Sequence, residues 1–145
     1  MGPAGTYVSM GGLATLSVAA RFPLGPGTFS AGALSGVAAL HATGAVADTD
    51  IFLVPIGVDT RYTLNDGGFP GISLHVSGGP AVMSVNAAYA GPMTKVIPYL
   101  VAGMTLELPF ASFMGMSIEV AWAAFFESTL PIMGFAPEVS FYVQF

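Results

Sequence analysis

Taken two residues at a time, most of the chain separates into an apolar set and a small or polar set. In Tyr7–Phe22 the even positions are Val8, Met10, Gly12, Ala14, Leu16, Val18, Ala20 and Phe22, and none is polar; Ser9, Thr15, Ser17 and Arg21 are odd. Ile51–Leu64 sets Phe52, Val54, Ile56, Val58 and Tyr62 against Gly57, Asp59, Arg61 and Thr63. Lys95–Phe110 sets Val96, Leu100, Met104, Leu106 and Phe110 against Lys95, Tyr99, Thr105 and Glu107. Phe113–Phe126 places Met114, Met116, Ile118, Val120, Trp122 and Phe126 opposite Ser117 and Glu119, and Val139–Phe145 alternates in the same way. A period of two is the period of a strand, whose successive side chains leave opposite faces. Thr28–Thr43 and Ile72–Asn86 are less regular strands, and Gly78-Gly79-Pro80 predicts a bulge or kink in the second. The pattern predicts seven strands.

A helical reading fares worse. A transmembrane helix needs about 20 nearly uninterrupted apolar residues. In the best stretch, Val96–Phe126, Glu107, Glu119, Pro98 and Pro109 interrupt the run.

Composition then decides what the strands face. Of 145 residues, three are Lys or Arg and eight are Asp or Glu, so charged residues are 8% of the chain. An ordinary soluble domain carries about 25%. Disorder is excluded by the apolar content, and nucleic-acid binding by the scarcity of cations. There is no Cys, hence no disulfide framework, thiolate nucleophile or Cys-based metal site. His41 and His75 lack the spaced partners of a metal site, so neither a metal nor another cofactor is expected. In lipid every backbone N–H and C=O must be paired, and strands meet that demand by closing on one another. The expected fold is an all-β, antiparallel, transmembrane up-and-down β-barrel whose small inner residues suit a narrow lumen.

Short turn signals, Pro23–Gly27, Asn65–Gly68 and Pro109–Ser112, alternate with longer connections, Gly44–Asp50, Ala87–Thr94 and Glu127–Pro137. Short turns belong to the periplasmic end of an outer-membrane barrel and longer loops to the outer end. Phe22, Tyr62, Phe110 and Phe145 gather toward the short-turn end; Phe52, Trp122 and Phe126 lie toward the other. Together they are expected to form the two aromatic girdles of a barrel.

The last residues, Phe141-Tyr142-Val143-Gln144-Phe145, alternate and end on Phe. In this the chain resembles the small outer-membrane β-barrels of diderm bacteria. Pro55–Tyr62 and Tyr99–Glu107 are similar in style to OmpA/OmpX/OmpW-like eight-stranded barrels. The resemblance implies a bacterial outer-membrane location, a lipid bilayer as surroundings, and an assembly signal at Phe141, Val143 and Phe145 read by the barrel-assembly machinery. It also implies an even strand count, near eight, where seven are legible. The chain lacks a first strand, or two strands are merged at Gly11-Gly12, or open edges join another copy in a homo-oligomer. Residues 1–145 are read as one barrel domain whose eighth strand is unseen or supplied by another chain. Pro55, Pro80 and Pro98 each delete a ladder donor and require bulges, edges or strand ends.

Antiparallel pairing places His75 opposite about Leu106, near Glu107, and Arg61 near Ser73 and His75. Asp59 and Glu119 are expected further toward the long-loop end. Asp59, Arg61, His75, Glu107 and Glu119 thus form a candidate charge-paired lumen network, since buried charges need partners. A sharper alternative is acyl transfer by His75, Ser77 and Glu107, which resembles outer-membrane lipid A deacylases. A third is a narrow cation-preferring pore lined by Asp59, Glu107 and Glu119. The favoured expectation is a non-enzymatic barrel with a structural or assembly role; its strongest rival is a β-rich protein that self-assembles through open edges.

Overall fold

The computed structural model describes residues 7–43, 49–64, 71–87, 91–111, 114–127 and 132–143. They form one antiparallel sheet of seven strands in chain order. The strands are β1 (Tyr7–Leu24), β2 (Gly27–Thr43), β3 (Thr49–Leu64), β4 (Gly71–Ala87), β5 (Gly91–Ala111), β6 (Met114–Phe125) and β7 (Ile132–Val143). Each strand pairs with its successor, so the topology is up-and-down. No helix among the described residues is long and apolar enough to cross a membrane.

The strands run further than the alternation alone indicates, and the long-loop end changes most. β4 and β5 stay paired out to Ala87 and Gly91, so the Ala87–Thr94 connection is mostly ladder. β7 begins at Ile132, inside the Glu127–Pro137 stretch expected to be a connection. Met133 and Phe135 are therefore strand residues of the outward set. At the other end Leu24 pairs with Gly27, leaving Gly25-Pro26 as a two-residue hairpin. Gly25 takes φ 59°, which glycine adopts without strain, and Pro26 presets the next φ.

Of the bulge or kink expected at Gly78-Gly79-Pro80, the bulge is absent: the register of β4 with β5 is unbroken there. The prolines are housed by interruptions in neighbouring ladders instead. Pro80 and Pro98 face each other across β4 and β5. On its other side Pro80 stands opposite Ile56, where the β3–β4 ladder skips two residues. Pro98 lies just past Tyr99–Phe125, the last β5–β6 pair, and Pro55 falls in a gap between β2 and β3. A residue without an N–H costs nothing where no ladder bond is made. Register shifts occur at Val8/Met10 and at Pro109/Ala111.

The sheet rolls until distant strands touch. Arg61 of β3 reaches Glu119 of β6 at 3.6 Å, and Thr15 of β1 reaches Glu138 of β7 at 3.2 Å. No ladder joins β1 to β7, so the sheet is curled but not closed, a shape compatible with a barrel. Its convex face is apolar and exposed: Phe52, Ile56, Val58, Leu74, Val76, Val96, Met104, Ile118 and Val120 all stand there. Its concave face buries Ser30, Asp59, Thr63, Ser73, His75, Thr105, Glu107, Ser117 and Glu119. This is the reverse of the ordinary arrangement, in which polar groups face out.

Gly57 permits the roll. A Cβ on Gly57 would stand 2.3 Å from the Gly78 carbonyl oxygen and 2.6 Å from the Tyr99 hydroxyl. Gly57→Val is therefore expected to cost about 1–3 kcal/mol, as over-packing does. Gly134→Ala, where a Cβ meets nothing within 4 Å, should be neutral. Urea unfolding followed by circular dichroism checks both.

Candidate functional site

The concave face is layered along the strands, and each layer comes from residues paired across the ladders. Nearest the short-turn end, Glu107 stands beside Gly71 and Ser117, with Ser140 following on β7. The next layer is Thr63, Ser73, Thr105, Glu119 and Glu138. Above it lie Ser30, Arg61, His75, Gly103 and Ala121. Then come Asp59, Ser77 and Val101, followed by a wholly different stretch. Leu53, Ala81, Met83, Ile97, Tyr99 and Phe125 pack together with Ala38 as a dry block. The Tyr99 and Phe125 rings stack with centroids 6.0 Å apart. One half of the concave face is thus polar and the other half hydrocarbon.

Within the polar half the two carboxylates are held mainly by hydroxyls. Ser73 donates to Glu107 at 2.8 Å and Thr63 at 3.3 Å, and the two hydroxyls are 2.7 Å apart. Thr105 donates to Glu119 at 2.9 Å. Arg61 lies between the acids, 3.8 Å from Glu107 and 3.6 Å from Glu119. His75 Nδ1 is 3.3 Å from Glu119 Oε2, close enough to pair but not aligned as a hydrogen bond. Glu107, Glu119 and His75 are all buried, so the two carboxylates depend on these neighbours.

The structure thereby brings Arg61, His75, Glu107 and Glu119 into one cluster. Asp59 is buried one layer further on, opposite Ser77. Three placements differ from the sequence expectation. His75 opposes Gly103 rather than Leu106, because β4 and β5 stay paired to Ala87 and Gly91 and the register moves by three residues. Glu119 lies on the short-turn side of His75, level with Thr105, not toward the other end. The His75–Glu107 contact that an acyl-transfer triad requires is not made, since Glu107 is held by Ser73 and Thr63 and His75 faces Glu119. Ser77 is buried on the concave face.

Glu138 falls between the expected Glu127–Pro137 connection and the Val139–Phe145 strand, and it sits in β7 directly opposite Glu119. The signal was present: Phe135, Pro137 and Val139 are outward, which turns Glu138 inward. Its carboxylate accepts a hydrogen bond from Thr15. Hydroxyl neighbours such as Thr63, Ser73 and Thr105 give no sequence signal beyond their parity. His41, read as a lone histidine, lies 2.8 Å from Asp50 at the far end of β2 and β3. There, too, Lys95 pairs with Glu127 at 2.9 Å. Among the described residues no group of three or more His, Cys, Asp or Glu is arranged to hold a metal ion.

On the convex face Phe22, Phe29 and Tyr62 stand in one row across β1, β2 and β3, with the Tyr62 hydroxyl donating to the Leu24 carbonyl at 3.0 Å. Phe110 is exposed near the same end. Trp122 faces Phe135, Phe126 is exposed beyond the end of β6, and Phe52 is exposed toward the far end of β3. Phe141 is exposed on β7; Phe145 and the side chain of Val143 lie outside the described residues. Compared with family models, curated proteins and solved structures, the chain matches none of them.

Two substitutions separate the effects. Arg61→Ala strands two buried carboxylates and is expected to cost about 3 kcal/mol, most of which Glu107→Gln and Glu119→Gln in the same chain should restore. Tyr99→Phe removes a buried hydroxyl that has no hydrogen-bond partner, so it should leave stability unchanged or raise it by up to about 1 kcal/mol. Unfolding midpoints measure both.

Proposed function

We propose that the chain is an integral β-barrel of the bacterial outer membrane with a structural or assembly role and an interior filled by its own side chains. The observation that carries this is the inverted burial: charges inside, large hydrocarbon side chains outside. The accessible area is 9108 Å². A compact monomer of 14.8 kDa exposes roughly 7,000 Å². The convex face exposes Leu16, Val18, Val58, Val96, Phe135 and Phe141, each more than half accessible, and at about 25 cal/mol per Å² removing such hydrocarbon from water is favourable. Lipid is the solvent that satisfies such a surface.

The dimensions support the same reading. From Phe52 to Tyr62 along β3 is roughly 34 Å of strand, which at a tilt of about 40° rises roughly 26 Å. Membrane barrels carry an apolar band about 25 Å tall between two aromatic girdles. The row Phe22, Phe29, Tyr62 marks one boundary and Phe52 the other. The bilayer is then the principal partner, and Phe141 with Val143 and Phe145 would be read by the assembly machinery.

The interior argues for a filled barrel over a pore. Leu53, Ala81, Met83, Ile97, Tyr99 and Phe125 obstruct half of the concave face with packed hydrocarbon, and a conducting path needs continuous polar width. Catalysis through His75, Ser77 and Glu107 has no support in the contacts those residues make. The second reading, self-assembly through open edges, rests on the unpaired outer sides of β1 and β7.

Trp122 is the single tryptophan, and it reports on the convex face. Refolded into vesicles, the protein should migrate as a heat-modifiable band. Its fluorescence should be quenched by brominated acyl chains, and it should give no conductance steps in planar bilayers. Large detergent-free assemblies with unquenched Trp122 would favour edge-joined copies instead.

A further inference from the structure

Seven antiparallel strands leave the two edges pointing the same way, because β1 and β7 are six reversals apart. Any strand placed between them runs antiparallel to both. The opening is narrow. Thr15 Oγ1 donates to Glu138 Oε1 at 3.2 Å, and two side chains that touch in this way hold their backbones at most roughly 10 Å apart. Two strand spacings of about 4.8 Å make up that distance. At Thr15 and Glu138 the seam therefore has room for no more than one strand. It is also uncovered: from Ala14 to Leu24 every β1 residue is exposed, whereas the inward positions of β3 and β4 from Ile51 to Thr63 and from Gly71 to Val85 are buried or half-buried.

Resting on the membrane-barrel reading, we propose that the seam takes a single extended segment of another polypeptide, with apolar residues outward, small polar residues inward, and one inward Lys or Arg level with Glu138. Charge selects the cation. Asp59, Glu107, Glu119 and Glu138 all face the concave side, while Arg61 and His75 are engaged with Glu107 and Glu119. Glu138 stands directly opposite Glu119, and its hydrogen-bond donor is a neutral hydroxyl. Like charges directly opposite on one sheet face repel. Arg21 shares the inward parity of β1 but lies six residues from Thr15, about 20 Å along the strand. A second whole sheet does not fit, because joining seven more strands would unroll the curl that brings Arg61 to Glu119.

The test uses a synthetic peptide of about 12 residues, matched to the span of β7, alternating Leu/Val with Ser/Thr and carrying one central inward Lys. A second peptide carries Glu there. Each is added while the full chain folds into phosphatidylethanolamine–phosphatidylglycerol vesicles. The Lys peptide should bind on the order of tenfold more tightly than the Glu peptide. Glu138→Gln should erase the difference. A photo-reactive group at the peptide centre should label both β1 and β7. Equal capture of the two peptides overturns the proposal. So does an efficient disulfide in peptide-free Ser17→Cys/Ser140→Cys protein, which would mean direct parallel closure, or an edge-to-edge dimer. A chain that never enters the vesicles sinks the membrane reading as well; one that enters and ignores both peptides sinks only the strand.

Discussion

The rest of the structure depends on one constraint: the convex set of side chains is hydrocarbon, and the chain does not bury that set against itself. In an ordinary domain a sheet hides its apolar face under a second layer. Here no second layer exists among the described residues, and the concave face is already occupied by the polar cluster and by the block around Leu53 and Tyr99. Leu74, Val76, Val96 and Met104 are therefore left pointing away from the protein. The stability of such a chain cannot be separated from its solvent.

That arrangement sets the terms for the interior. Once the hydrocarbon is outside, the ionisable groups are inside, and they need partners from a small supply. Hydroxyls do much of the work. Ser73, Thr63 and Thr105 cradle the carboxylates, and Arg61 sits between Glu107 and Glu119 at ion-pair distance. The pairs are long, so they neutralise charge rather than clamp it. At the other end the chain avoids the problem with a hydrocarbon block around Leu53, Tyr99 and Phe125. The two halves divide the labour: one fixes the register through specific contacts, and the other excludes water by packing.

Glycine and proline carry the curvature. Gly57 lets the Tyr99 hydroxyl and the Gly78 carbonyl approach where any Cβ would block them. Pro55, Pro80 and Pro98 occupy gaps in adjacent ladders, so the residues that most oppose a continuous sheet sit where the sheet is already interrupted. The remaining inconsistency is the odd strand number, which leaves two parallel edges and an inward Glu138 facing another carboxylate.

The sequence by itself determined the seven strands, their faces and five of the inward charges, because side-chain parity is a local property fixed by the pleat. Asp59, Arg61, His75, Glu107 and Glu119 could be assigned to one face without any knowledge of neighbours. Which of them meet was decided only in three dimensions. Four further residues at the start of β5 against one at the end of β4 moved His75 from Leu106 to Gly103, and the roll of the sheet brought Arg61 across to Glu119. Glu138 was missed because a proline and a glycine disguised the start of β7 as loop. Register depends on where hairpins end, and contacts across the concave face depend on curvature; both are sums over many residues, which no local pattern contains.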